Sequence, residues 1–173
     1  MAAVAQDFCS RMLVGDIESP ELYKQISAER FDVIAFGDVL EHLRDPEGAL
    51  VKMRGLLTPE GYVVASIPNV AHRSVRLSLL FGEFNYADAG LLDRTHLRFF
   101  TRKTIELMMA EAGFRIVEMV KIRDPSLMDS YLRRTASLPK RIFLEMVKVL
   151  FRLLIRGEGS TYQFVIKCVP VYV

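Results

Sequence analysis

Two short apolar runs dominate the middle of the chain, Phe31-Asp-Val-Ile-Ala-Phe36 and Tyr62-Val-Val-Ala-Ser-Ile67. Both are nearly continuous and rich in β-branched residues, a pattern that predicts strands covered on both faces, as in a parallel sheet. Between them the period changes to that of a helix: Leu50, Met53 and Leu57 recur at three and four residues and form one apolar face. Asp45 is placed to cap this helix, Pro46 suits its first position and Glu47 complements its dipole. Thr58-Pro-Glu-Gly61 reads as the turn that ends it. Strand, helix and strand in this order predict a βαβ unit. A second helix is predicted from Thr101, as cap, to Ala112, with Ile105, Met108, Met109 and Ala112 as its buried stripe. Gly113 then suits the left-handed residue beyond a helix. Phe114 to Val120 and Thr161 to Val169 read as strands. Met12-Leu-Val-Gly15 reads as a short strand after a helical segment over residues 2–10.

Residues 138–156 have a different pattern. Arg141, Glu145, Lys148, Arg152 and Arg156 recur at helical spacing in an otherwise apolar segment. Two readings stay open: a helix packed on the domain with a solvated basic stripe, or a helix that contacts a membrane surface or a second copy through its wide apolar face.

At 173 residues the chain has the length of one domain, and 51% hydrophobic against 25% charged residues can bury a real core. Lys and Arg number 23 and Asp and Glu 21, a balance that argues against nucleic acid as a partner. The two cysteines, Cys9 and Cys168, are too few for a secreted disulfide scaffold. No run reaches the roughly 18–20 apolar residues of a membrane span, and the N-terminus lacks the basic start and apolar segment of a signal peptide. The expected location is therefore the cytoplasm.

In an open parallel sheet, ligands bind beyond the carboxyl ends of the strands. That rule selects Asp16-Ile-Glu18, Gly37-Asp-Val-Leu-Glu-His42 and Pro68-Asn-Val-Ala-His-Arg73, whose polar groups are expected to converge on one rim. The ten glycines form neither GxGxxG nor GxxxxGK[ST], so the chain carries no glycine-rich phosphate loop of either kind.

The run Val14-Gly-Asp-Ile17, then Phe31 through Glu41-His-Leu43, then Leu57-Thr-Pro-Glu-Gly-Tyr through Ile67-Pro-Asn69 resembles the class I S-adenosylmethionine-dependent methyltransferases. Asp93-Arg-Thr-His-Leu-Arg-Phe-Phe-Thr101 and Glu111-Ala-Gly-Phe114 extend the likeness, which covers residues 1 to about 120. It is similar to bacterial members associated with sugar, lipid or natural-product modification. The implied fold is α/β: a partial Rossmann-like methyltransferase sheet with flanking helices, its first two strands and glycine-rich cofactor motif missing. The chain then reads as a single truncated domain over 1–173, with the basic amphipathic helix inserted at about 138–156. An open strand edge in such a sheet invites pairing with a second copy.

The resemblance implies S-adenosylmethionine as cofactor, if the pocket is completed, with a small-molecule, sugar or lipid-linked methyl acceptor. Asp16 would accept from the adenine amino group and Ile17 would offer its backbone, against a plain turn-stabilising role for Asp16. Phe36, Gly37 and Asp38 would lie along the methionine end, Gly37 permitting close approach. His42, beside Glu41, is a candidate general base, and His96 a candidate on the acceptor side. The competing reading for His96 is an ordered loop in which Asp93 pairs with Arg98. His72 and Arg73 would bind an acidic group or face water. The histidine spacings match no zinc or calcium pattern, so no metal is expected. Cys168, in an apolar strand, is expected to be buried and inert. Two functions follow: methyl transfer, incomplete in this chain, or a non-catalytic binding or assembly module derived from a methyltransferase.

Overall fold

The computed structural model describes residues 9–123 and 157–172. In chain order the elements are α1 (Pro20–Ile26), β1 (Phe31–Gly37), α2 (Pro46–Arg54), β2 (Leu57–Pro68), α3 (Arg73–Leu80), α4 (Arg102–Glu111), β3 (Phe114–Arg123) and β4 (Thr161–Pro170), with a 3-10 turn at Leu40–His42. They build a mixed α/β fold on a four-stranded sheet of order β1-β2-β4-β3. β1 and β2 are parallel, which makes β1-α2-β2 the βαβ unit that the sequence predicts, and β4 runs antiparallel to both neighbours.

The capping chemistry is as the sequence implies. The Asp45 side chain accepts from the Gly48 N–H at 2.9 Å, with Pro46 at the first helical position. At α4, Thr101 and Thr104 satisfy each other's backbone N–H groups in a capping box. Gly113 takes a φ of +77°, and the Arg54 guanidinium of α2 donates to the Ala112 carbonyl at 3.1 Å. One helix thus caps the other. Ala49, Leu50 and Met53 from α2 and Ile105, Met108 and Met109 from α4 are buried in one cluster with Val63, Ala65, Ile67, Phe164, Ile166 and Cys168 of the sheet. Burial pushes the Cys168 thiol up to about 12, so it stays protonated and unreactive at neutral pH.

Three expectations need correction. Met12 to Gly15 do not form a strand: they pair with none of the four described strands, and an apolar tripeptide outside a ladder has no backbone partners to hold it extended. Thr58–Gly61 do not stand outside the strand as a turn but lie inside β2, where the register with β1 shifts between Phe31 and Val33; α2 ends earlier, at Gly55. Among the described residues β1 is not covered on both faces: it is an edge strand, Ala35 is exposed and Val33 is 45% exposed. The expected helical segments lie outside the described residues, over 2–8 for the first and over all of 138–156 for the basic one. Among the described residues no helix is long and apolar enough to cross a membrane.

Glu158 ties the far edge together. Its carboxylate accepts from Arg102 of α4 at 2.9 Å, Lys121 of β3 at 3.1 Å and the Thr161 hydroxyl at 3.3 Å. Burial pushes its pKa up, but the hydrogen bonds from Lys121 and Arg102 outweigh that and hold it below the usual value. A depressed folded pKa means stabilisation that is present above the unfolded pKa of about 4.3 and lost as pH falls through the folded value. Wild type should therefore exceed Glu158→Gln in urea midpoint at pH 7, with the gap closing as pH falls below that unfolded value. A gap of constant size from pH 7 to pH 3 would contradict this account.

Candidate functional site at the carboxyl ends of the parallel strands

The rim is built where β1 and β2 end side by side, Gly37 opposite Ser66, with the antiparallel β4 starting there so that Gln163 faces Pro68. Asp38 turns the chain away from β1 with a φ of +52°, the sole positive φ of a non-glycine among the described residues. Asp and Asn tolerate this region better than most residues. It is held by both neighbouring strands. Its N–H donates to the Ser66 hydroxyl at 3.0 Å, that hydroxyl donates to its carboxylate at 3.0 Å, and the Gln163 amide donates to the same carboxylate oxygen. Gly37, one residue earlier, is exposed, and a Cβ there would meet nothing within 4 Å. The left-handed residue of this corner is thus Asp38, and Gly37 is free of any steric demand from the protein itself.

The other expected cofactor positions fall as follows. Phe36 is 2% exposed with its side chain in the core, so only its backbone borders the rim. Asp16 is exposed, and its carboxylate accepts from the Glu18 N–H at 2.9 Å in a local turn. Ile17 is partly buried against the core. Glu18 anchors this loop to the start of α2 by accepting from the Arg44 and Asp45 N–H groups at 3.1 and 2.7 Å.

Glu41, His42 and His96 come together beside this corner. The 93–98 loop docks on the 3-10 turn, where the Leu97 and Arg98 N–H groups both donate to the Glu41 carbonyl, at 2.8 and 3.0 Å. The His42 and His96 rings meet edge to face with centroids 4.7 Å apart. His42 Nδ1 lies 3.1 Å from the Thr95 carbonyl. A carbonyl only accepts, so Nδ1 carries the proton, and Nε2 of the neutral ring keeps its lone pair. His96 Nε2 stands 4.0 Å from Glu41 Oε1. Its Nδ1 is buried without a hydrogen-bond partner. Burial holds the His96 pKa below the usual value, with the neighbouring His42 acting in the same direction. Burial also raises the Glu41 pKa, and Asp38 adds to it.

The loop itself is ordered differently from the expected Asp93–Arg98 pair. The Asp93 carboxylate accepts from the Thr95 hydroxyl and N–H, at 2.6 and 2.7 Å, which lowers its pKa. Arg98 donates to the Arg44 carbonyl instead. A short loop satisfies its own donors more readily through i to i+2 contacts than through an exposed ion pair. His72 neither faces water nor reaches the rim: it is fully buried, caps α3 and meets Tyr162 edge to face. Ser66, Gln163 and Thr95 are site residues that sequence reasoning passed over. A lone serine inside an apolar run is a signal for the first, whereas Gln163 reaches Asp38 only because β4 is antiparallel. Beyond Leu91 an open groove of about 340 Å³ is lined by Ser74, Ser78, Asn85, Leu92 and Tyr162.

A family model described as a methyltransferase domain matches residues 4–119. Among solved structures, the chain is similar to an S-adenosylmethionine-dependent methyltransferase from Archaeoglobus fulgidus at 16% identity, TM-score 0.59, covering 94% of this chain and 70% of that one. A second such enzyme, from Clostridium acetobutylicum, matches at 13% identity and TM-score 0.55, covering 98% and 68%. The Burkholderia thailandensis 1,6-didemethyltoxoflavin-N1-methyltransferase, with 1,6-didemethyltoxoflavin and S-adenosylhomocysteine bound, matches at 14% identity and TM-score 0.52, covering 99% and 56%. Among proteins of curated function none matches the sequence.

Proposed function

The chain belongs to the class I S-adenosylmethionine-dependent methyltransferase family, and we propose that it serves methyl transfer from that cofactor to a small-molecule, sugar or lipid-linked acceptor in the cytoplasm. One observation carries the proposal. The corner Phe36-Gly37-Asp38, which the family resemblance assigns to the methionine end of the cofactor, presents an exposed glycine beside open space at the carboxyl ends of parallel strands. That is where ligands of open α/β sheets bind. Asp16 and Ile17 are the proposed adenine contacts, since a carboxylate suits an exocyclic amine as acceptor.

S-adenosylmethionine supplies a methyl group already primed for displacement, so the protein's work is alignment and, for a hydroxyl acceptor, removal of a proton. The lone pair on His42 Nε2 can take that proton, with the Thr95 carbonyl fixing the ring. The groove beyond Leu91 carries Ser74, Ser78, Asn85 and Tyr162 as polar contacts for a small acceptor. The acceptor class rests on the family likeness.

A second reading is a non-catalytic binding or assembly module. It is favoured by the side of β1 that is free among the described residues, where Val33 is exposed on a strand with one described partner that could pair with a second copy. The two readings part on cofactor binding. Isothermal titration of the 173-residue chain with S-adenosylhomocysteine should give a saturating one-to-one isotherm. A folded protein that shows no heat of binding would leave only the module reading.

A further inference from the structure

We propose that Glu41, His42 and His96 form a binding site for one divalent first-row transition-metal ion such as Zn2+, Mn2+ or Co2+. One ligand atom from each of the three lies within 4.8 Å of the others. Ligands that share one such ion at about 2.1 Å each stand roughly 3–3.5 Å apart, so modest side-chain rotation closes the set.

Independent features of the cluster point the same way. Glu41 is 1% exposed, and its Oε2 is buried without a hydrogen-bond partner. An orphaned buried carboxylate oxygen needs an explanation, and a bound cation is one that also repays the burial of the charge. The bond between His42 Nδ1–H and the Thr95 carbonyl is the outer contact that a metal-bound histidine ordinarily makes, fixing the tautomer and leaving Nε2 for the ion, which in an occupied site takes the lone pair that otherwise serves as the base. His96 offers an almost buried ring whose Nε2 already points at the carboxylate. Asp38 and Asp93 add negative charge around the histidines, and half-buried His42 leaves the cluster open on one side.

The donor set selects the ion class. Two imidazoles and one carboxylate suit borderline divalent ions, whereas Mg2+ and Ca2+ prefer all-oxygen shells. Three protein ligands also leave coordination positions for water or a ligand oxygen. Linear motif spacing fails to reveal this site because its third ligand arrives on the 93–98 loop, more than fifty residues along the chain. The inference does not rest on cofactor binding, because the three residues and their supports are complete without it.

The test uses untagged protein freed of metal with chelator and titrated with Co2+, followed by visible d–d absorption, and with Zn2+ or Mn2+ by calorimetry. One equivalent is expected to bind and to develop the Co2+ band, with excess Mg2+ unable to displace it. Glu41→Gln and His96→Gln should each weaken binding at least tenfold, the loss that even outer-shell changes at metal sites reach, while circular dichroism confirms the fold. If either buried-site variant does not fold, His42→Gln, at a half-buried ring, gives the same reading. No binding by the folded wild type overturns the proposal, as does binding that survives these substitutions or yields to Mg2+.

Discussion

Phe164→Ala is expected to destabilise the protein by about 3–5 kcal/mol, the range for emptying a buried phenylalanine site. Phe164 is 0% exposed in β4, where it pairs with Ile67 of β2 on one side and Lys121 of β3 on the other. It packs in the one cluster that both α2 and α4 share with the sheet. Transfer of the ring out of water accounts for roughly 1.5–3 kcal/mol, and the cavity left between two strands and two helices supplies the rest, because strands fixed by their ladders cannot close in. A single domain has about 5–15 kcal/mol in total, so the variant should be partly unfolded near physiological temperature. Urea denaturation followed by circular dichroism reads the loss directly. Phe164→Leu, which keeps most of the volume, should cost under about 1.5 kcal/mol. Val33→Thr on the exposed face of β1 should stay within about 0.5 kcal/mol. A Phe164→Ala cost below 1 kcal/mol would mean that this cluster is not the core, and a Val33→Thr cost above that value would mean that β1 is covered in solution.

The contrast between these positions also explains what was legible in the sequence. α2, α4, β3 and β4 are readable because each carries local chemistry that agrees with its fate: Asp45 before Pro46, Thr101 before a three-and-four stripe, Gly113 at the left-handed position. Local propensity and tertiary burial point the same way in such elements. β1 misleads because its apolar run is that of a strand covered on both faces, while one of its faces and one of its edges lie open among the described residues. Met12 to Gly15 mislead for the related reason that a strand exists only with a partner, which periodicity does not report.

The candidate site was legible in part. The rim rule picks out Gly37, Asp38, Glu41 and His42 together because they lie at or just after the carboxyl end of a parallel strand. His72 follows β2 in the same way yet turns inward, since it is needed to cap α3, a demand that competes with display at the rim. Gln163 is invisible to any local rule, and His96 enters only through the family likeness of the Asp93–Thr101 run. Each reaches the corner across long sequence separations through β4 or the 93–98 loop, and their partners Asp38 and Glu41 show no local sign of needing them.

Gly37→Val is expected to lower S-adenosylhomocysteine affinity at least tenfold, about 1.4 kcal/mol, while leaving the fold intact. The two halves of that statement rest on one geometry. Gly37 does not have a positive φ, and a Cβ there would meet no protein atom within 4 Å, so neither the backbone nor the packing of the chain requires glycine. A β-branched residue at the end of a strand should be neutral or mildly stabilising, since glycine in such a position forfeits roughly 0.5–1 kcal/mol of chain entropy. If the open space beside Gly37 is where the cofactor backbone-stacks against β1, the valine methyls fill it, and the penalty appears only with ligand present. Calorimetry and thermal melting of the same two proteins separate the effects: the melting temperature should hold or rise, and the isotherm should weaken. An unchanged isotherm would remove Gly37 from the cofactor contacts and move the methionine end elsewhere on the rim. A lowered melting temperature with unchanged affinity would mean that the glycine serves the fold after all, a role the space around it gives no reason to expect.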